Sequence, residues 1–273
     1  DGDLDLLTTG NQCVTVLTNG IQPVITSTTP VRNSHTFTPT SLTASWNVAM
    51  TTATAILPAP ASVPHSLYVW GSMTGYRALP STASATQSGS TTMITPTKPF
   101  LPGETVSVSI PNARSSEFVP AKPVVYDFRA KAGVGPGTFQ PGQIFSPPFV
   151  NSQKPILADL NNDGRLDFAV PQETGGNKID IFFAGAGGTF SAAPSLVLNT
   201  LAPPKNIIAA DFNNDGIVDI AAVNYGTNQT IELWIPPTPG AFPAAMPNFT
   251  ITGGCLGARN IAAADMNGDG NLD

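Results

Sequence analysis

Apolar and polar residues alternate with a period of two through much of this chain. Leu42, Ala44 and Trp46 share one set of alternating positions, as do Val106, Val108 and Ile110, and then Val124, Tyr126 and Phe128. The same pattern returns in Ile179, Ile181 and Phe183 and in Ile231, Leu233 and Ile235. Period-two alternation puts one set of side chains on one face of a strand. Apolar stretches at Phe168-Ala169-Val170 and Ile220 to Val223 read as further strands. Ser195 to Leu198 and Phe249 to Ile251 follow Gly- or Pro-rich turns and read the same way. Asn206 to Ala210 and Asn260 to Ala264 complete the set of short strands. No long segment has helical spacing, so the expected class is all-β.

Three polar stretches interrupt these strands in one pattern. Residues 159–167 read DLNNDGRLD, 211–219 read DFNNDGIVD, and 265–273 read DMNGDGNLD. The shared form is D-x-N-x-D-G-x-x-D. Oxygen-bearing side chains fall at positions 1, 3, 5 and 9, and a glycine at position 6 allows a sharp turn. Calcium-binding loops of the EF-hand type use those side chains and the backbone carbonyl of position 7. The candidate ligands are Asp159, Asn161, Asp163, Arg165 (carbonyl) and Asp167; Asp211, Asn213, Asp215, Ile217 (carbonyl) and Asp219; and Asp265, Asn267, Asp269, Asn271 (carbonyl) and Asp273. Position 12 departs from an EF-hand. It is Val170 or Ala222 where a bidentate Glu belongs, and each lies in an apolar run, so the loops join strands rather than helices. An Asn/Asp/Gly-rich turn without a metal is the simpler reading of one copy. Three copies with one ligand spacing favour Ca²⁺. The opening Asp1-Gly2-Asp3-Leu4-Asp5 matches positions 5 to 9 of the same loop, which makes Asp1, Asp3 and Asp5 candidates in a site completed by another segment or subunit.

The loops start at residues 159, 211 and 265, steps of 52 and 54 residues. A fixed period near 50 with four short strands per period is the make-up of a propeller blade. ADLNNDGRLDFAV, ADFNNDGIVDIAAVNYG and ADMNGDGNLD resemble the FG-GAP/VCBS repeats of extracellular β-propellers. The resemblance covers residues 1–20 and about 132–273 and implies fold and calcium rather than an activity. The first period is too long. Cys13 to Leu17 matches the second strand of the other repeats, and Gly137-Thr138-Phe139 matches Gly188-Thr189-Phe190. About 110 residues therefore interrupt one blade. Their alternation predicts an antiparallel sandwich. SLTASWNVAM, ITPTKPFLPGETVSVSIP and VYDFRA resemble a bacterial Ig-like domain of the kind found in surface-layer proteins. The expected organisation is 1–21 as the N-terminal part of the first blade, 22–131 as an inserted Ig-like β-sandwich, and 132–273 as calcium-loop blades. About three blades are too few to close a ring, since propellers use ~4–8. The fold expected is an incomplete β-propeller with an inserted sandwich.

Composition narrows the function. Of 273 residues 11% are charged, 27 are Pro and 25 are Gly, which suits many short strands and turns. The net charge of −6, with no basic cluster, argues against nucleic acid as a partner. No apolar run is long enough to span a membrane. No nucleophile elbow, phosphate loop or dinucleotide fingerprint is present, and His35 and His65 have no partner at metal spacing, so an enzyme is not expected. Cys13 and Cys255 could pair in an oxidising compartment or remain buried thiols. Asn228 and Asn248 lie in N-x-S/T tripeptides and are weak glycosylation candidates. Trp46, Trp70 and Trp234 are either sugar platforms or core, with core favoured for Trp46 and Trp234. The sequence starts at Asp1 without a basic-then-apolar leader, which suggests a removed signal peptide or a fragment.

These readings point to a non-enzymatic, calcium-stabilised extracellular protein that builds or decorates a cell surface, fibre or filament. Self-assembly or a longer chain would complete the propeller. The alternatives are an adhesin or lectin-like propeller that binds glycans or a surface protein, and a non-catalytic module of a secreted polysaccharide-active enzyme. Three Ca²⁺ ions would bring the formal charge from −6 to zero. At the Kd of ~10⁻⁴–10⁻³ M typical of extracellular calcium modules, millimolar calcium adds ~0.4–1.4 kcal/mol per site.

Overall fold

The computed structural model describes residues 20–35, 39–52, 67–76, 83–96, 98–132, 142, 151–173, 176–226, 230–252 and 257–273, and the backbone of 6–10 and 13–17. Asp1, Asp3, Asp5, Gly137 to Phe139, Asn228 and Cys255, and the side chain of Cys13, lie outside the described residues. Among those described the protein is all-β, with no helix long and apolar enough to cross a membrane. It forms four four-stranded antiparallel sheets and one hairpin, β1 (Leu6–Gly10) with β2 (Cys13–Leu17), and none of the sheets closes on itself.

The alternating segments between residues 25 and 129 build two of the sheets. One has the order β3-β4-β8-β7, from β3 (Ile25–Thr29), β4 (Leu42–Trp46), β7 (Ala83–Ser88) and β8 (Thr91–Pro96). The other runs β10-β9-β5-β6, from β5 (Tyr68–Gly71), β6 (Gly75–Tyr76), β9 (Thr105–Ile110) and β10 (Val124–Arg129). Leu42, Ala44 and Trp46 from the first sheet and Val106, Val108, Ile110, Tyr126 and Phe128 from the second share one core. The polar end of Trp46 is satisfied inside it, where Nε1 donates to Thr92 Oγ1 at 3.0 Å. Burial pushes the Tyr126 hydroxyl up to about 12, although Arg32 beside it pulls the other way.

The D-x-N-x-D-G-x-x-D repeats form the other two sheets. The first is β11 (Ile156–Ala158), β12 (Asp167–Gln172), β13 (Lys178–Phe182) and β14 (Leu196–Asn199), in that order. The second is β15 (Pro204–Ala210), β16 (Asp219–Asn224), β17 (Thr230–Trp234) and β18 (Phe249–Thr252). The segment that closes one sequence period is thus the first strand of the next sheet. Phe183 and Ile235, expected at the ends of alternating strands, lie just past β13 and β17. Asn260 to Ala264, expected as a strand, forms none. In the other repeats this segment pairs with the strand that begins at loop position 9, and here only the first rung exists, Ala264 with Asp273.

The two blade-like sheets pack face to face. Ala169, Ile179, Ile181 and Leu198 of the first meet Ile207, Ile220, Ala222 and Trp234 of the second. Trp234 is fully buried, so its place is core. The opposite face of the second sheet is open. Phe249 and Ile251 are 60% and 62% exposed, whereas Leu198, the counterpart of Ile251 in the first sheet, is 0% exposed.

Candidate metal loops

Two of the three loops cross between neighbouring strands. Residues 159–167 join β11 to β12, and 211–219 join β15 to β16. Two residues per loop adopt left-handed backbone: Asn162 and Gly164, Asn214 and Gly216, Gly268 and Gly270. Glycine enters that region without penalty, and asparagine tolerates it better than other residues do. This explains the Asn or Gly at position 4 as well as the Gly at position 6. Sequence reasoning identified position 6 and missed position 4, although N-N-D-G and N-G-D-G were visible.

The three loops share one hydrogen-bond network. The position 1 carboxylate accepts from the position 5 and position 6 amides: Asp159 from Asp163 N and Gly164 N, both at 2.9 Å; Asp211 from Asp215 N at 3.1 Å and Gly216 N at 2.8 Å; Asp265 from Asp269 N at 3.1 Å and Gly270 N at 3.0 Å. The position 3 Asn accepts from the position 5 amide and donates to the position 5 carboxylate; Asn213 Nδ2 to Asp215 Oδ2 is 2.8 Å. The position 5 carboxylate accepts from the position 7 amide, at 2.9 Å from Arg165 and 2.8 Å from Ile217 and Asn271. Position 9 accepts from position 2: Asp167 from Leu160 N, Asp219 from Phe212 N and Asp273 from Met266 N, at 2.8–3.0 Å.

The carboxylates therefore organise each turn from within, and the loops differ at their edges. Asp163 also pairs with the Arg165 guanidinium at 2.6 Å, and Arg165 Nε donates to Ala184 O. Among the described residues no group of three His, Cys, Asp or Glu side chains is drawn together as a metal-holding cluster. Val170 and Ala222 at position 12 are buried in strand interiors and offer no oxygen.

Asp219 is the most informative side chain in the set. It is 0% exposed, and its Oδ1 has no hydrogen-bond partner. The equivalent Asp167 Oδ1 accepts from Ala184 N at 2.8 Å. The residue 52 positions beyond Ala184 is Pro236, which has no N–H to give. Burial raises the pKa of Asp167 to about 6 against its backbone bonds. Burial, helped by Asp211 and Asp215, raises that of Asp219 to about 7. Buried anionic oxygens without enough donors need a cation or a proton. The donor set of each loop, all oxygen with alternating carboxylate and amide, is that of a hard divalent cation. The residues present thus fit Ca²⁺.

Residues 159–222 and 211–273 each match the model of the FG-GAP-like repeat. The C-terminal part of the chain carries FG-GAP-like repeats. The matched segments span the three loops and, apart from β11, the two blade-like sheets. A comparison with curated proteins finds no match. Among solved structures, the methionine-rich copper resistance protein PcoC from Escherichia coli is 21% identical, with a TM-score of 0.31, over 41% of this chain and 100% of that one. The N-terminal part of the bacterial S-layer protein SbsC is 13% identical, with a TM-score of 0.30, over 85% of this chain. This chain spans 43% of that structure's length.

The third loop is more open than the other two, with Asp269 and Asp273 exposed and Asp265 half-buried. The exposed Asp269 carboxyl is held below the ordinary range, first by the Asn271 backbone amide. Asn248 is exposed, and its Oδ1 accepts from Ile235 N at 2.6 Å, so it also closes the turn before β18.

Proposed function

We propose that this is a non-enzymatic, calcium-stabilised structural protein of the extracellular space or cell surface. In this reading the repeat sheets are propeller-type blades and the 25–129 body is an inserted Ig-like sandwich. The observation that carries the proposal is the single hydrogen-bond network repeated in three loops, each presenting carboxylate, amide and carbonyl oxygens, two of them at strand junctions. Calcium would be held by Asp159, Asn161, Asp163, the Arg165 carbonyl and Asp167, and by the matching residues of the other loops. Bound there, it supplies positive charge and nothing redox or acidic. The chain's own residues do the rest: the left-handed positions aim the oxygens inward, and position 9 anchors the loop to the next strand.

The open face of the second blade supports an assembling role. Its Ile251 occupies a position that the first blade buries under its neighbour, and its Phe249 one that the first blade half-buries there. A blade of a second copy is the occupant that matches this chemistry, because the same kind of surface already covers the equivalent face within the chain. Light scattering of the purified chain tests the proposal, in millimolar calcium and then in excess EGTA. Assemblies that dissociate in EGTA are expected. A monomer under both conditions would refute the assembling role.

A further inference from the structure

All three loops touch the two-sheet body of residues 25–129, and in each the contact includes position 4. Lys98 Nζ donates to Asn162 Oδ1 at 3.0 Å in the first loop. Trp70 Nε1 donates to Asn214 Oδ1 at 2.9 Å in the second. Gly268 of the third loop lies against Pro123, where an added Cβ would stand 3.2 Å from the proline ring. Position 4 is the one residue between the side-chain ligands of positions 3 and 5 that points no oxygen into the loop network. It is therefore free to serve a neighbour.

Other loop positions meet the β5–β6 hairpin, which also carries Trp70. Asp159 N donates to Met73 O at 2.7 Å. Gly75 packs against Asp211 and Val218, each 3.4 Å from where its Cβ would be. A Cβ on Gly270 would overlap the Tyr68 ring, and Leu272 joins the core of the two-sheet body. The hairpin is rigid from its own side. The buried Glu104 accepts from Met73 N, Thr74 N and Thr74 Oγ1 at 3.0, 2.8 and 2.7 Å with one oxygen, and from Leu101 N at 2.8 Å with the other.

We infer that position 4 of the loops is a docking surface for the two-sheet body, and that calcium binding governs how tightly that body is held to the blades. This rests on the calcium reading of the loops. The physical link is the left-handed backbone at position 4. Ligands at positions 3 and 5 fix that residue on both sides, so ordering the ligand oxygens also fixes the Asn162 and Asn214 side chains as acceptors. Coupling of this kind is reciprocal: if calcium tightens docking, docking tightens calcium.

The test uses the full chain. Calcium chloride is titrated by calorimetry, and amide hydrogen exchange is followed with and without calcium. Exchange across residues 68–76 should slow by ~10-fold or more on saturation, the range expected when a local opening is linked to a bound ligand. Among the described residues the β7–β8 hairpin, 83–96, makes no hydrogen bond to a loop, and it should not respond. Lys98→Ala and Trp70→Phe each remove one donor without altering a ligand, and each should weaken calcium ~2–10-fold, the worth of one hydrogen bond. Lys98→Ala lies on the surface and guards against a folding defect in Trp70→Phe. Calcium binding with unchanged exchange at 68–76, or with unaltered affinity in both variants, overturns the inference and leaves the calcium reading standing. Absence of calcium binding overturns both.

Discussion

Replacing Asp219 by Asn should flatten the pH dependence of stability in the calcium-free protein. Asp219 is fully buried, and the donor that satisfies its counterpart is missing because Pro236 stands in its place. Its pKa is raised from 3.8 to about 7 by burial, with Asp211 and Asp215 adding to the rise. A carboxyl whose pKa rises on folding gives its full stabilisation below the unfolded value and loses it as pH climbs through the folded value. For Asp219 that window runs from about pH 4 to about pH 7. At ~1.4 kcal/mol per pKa unit the ceiling is ~4 kcal/mol, and relaxation around a buried charge brings the expected loss nearer ~2 kcal/mol. Urea unfolding in EGTA, followed by tryptophan fluorescence at about pH 4.5 and about pH 8, measures it. The wild-type chain should lose this increment over and above the share of Asp167, and Asp219→Asn should lose only the latter. Parallel pH slopes for the two proteins would refute the argument that an uncompensated buried carboxylate is present. In millimolar calcium the trend should reverse, because the ion binds the ionised form and protons compete with it.

Other consequences follow from the same contacts. Pro236→Ala restores an N–H opposite Asp219 Oδ1 and should stabilise the calcium-free protein at pH 8 by ~0.5–1.5 kcal/mol, less what the freer unfolded chain takes back; a urea midpoint in EGTA reports it. Trp234→Ala empties the centre of the blade core and should cost ~3–5 kcal/mol, with or without calcium, as read by denaturation under both conditions. Glu104→Ala leaves the Met73, Thr74 and Leu101 donors unpaired and should cost ~3 kcal/mol or more; proteolysis should then begin in the 68–76 hairpin.

The strands were legible because alternation at period two is a local property of the chain. Leu42-Ala44-Trp46, Val106-Val108-Ile110 and Val124-Tyr126-Phe128 became β4, β9 and β10 with the expected faces buried. The loops were legible for the same reason: D-x-N-x-D-G-x-x-D closes its hydrogen bonds within nine residues, and the three copies fold alike. Two boundaries were misread. Phe183 and Ile235 continue the alternation but leave the ladder, and Asn260 to Ala264 has strand-like residues but only one rung of pairing. Alternation cannot reveal whether a partner strand is present.

What the amino-acid sequence determined by itself was the period of the repeats, the all-β class and the turn chemistry of each loop, since all three depend on residues close along the chain. Tertiary structure alone decided that Asp219 lacks the donor that Asp167 has, and that Trp70, Met73 and Lys98 reach the loops from a different part of the chain. Trp70 and Asn214 are 144 residues apart in sequence and 2.9 Å apart in space. A contact of that kind is set by how whole sheets pack, and no local pattern records it.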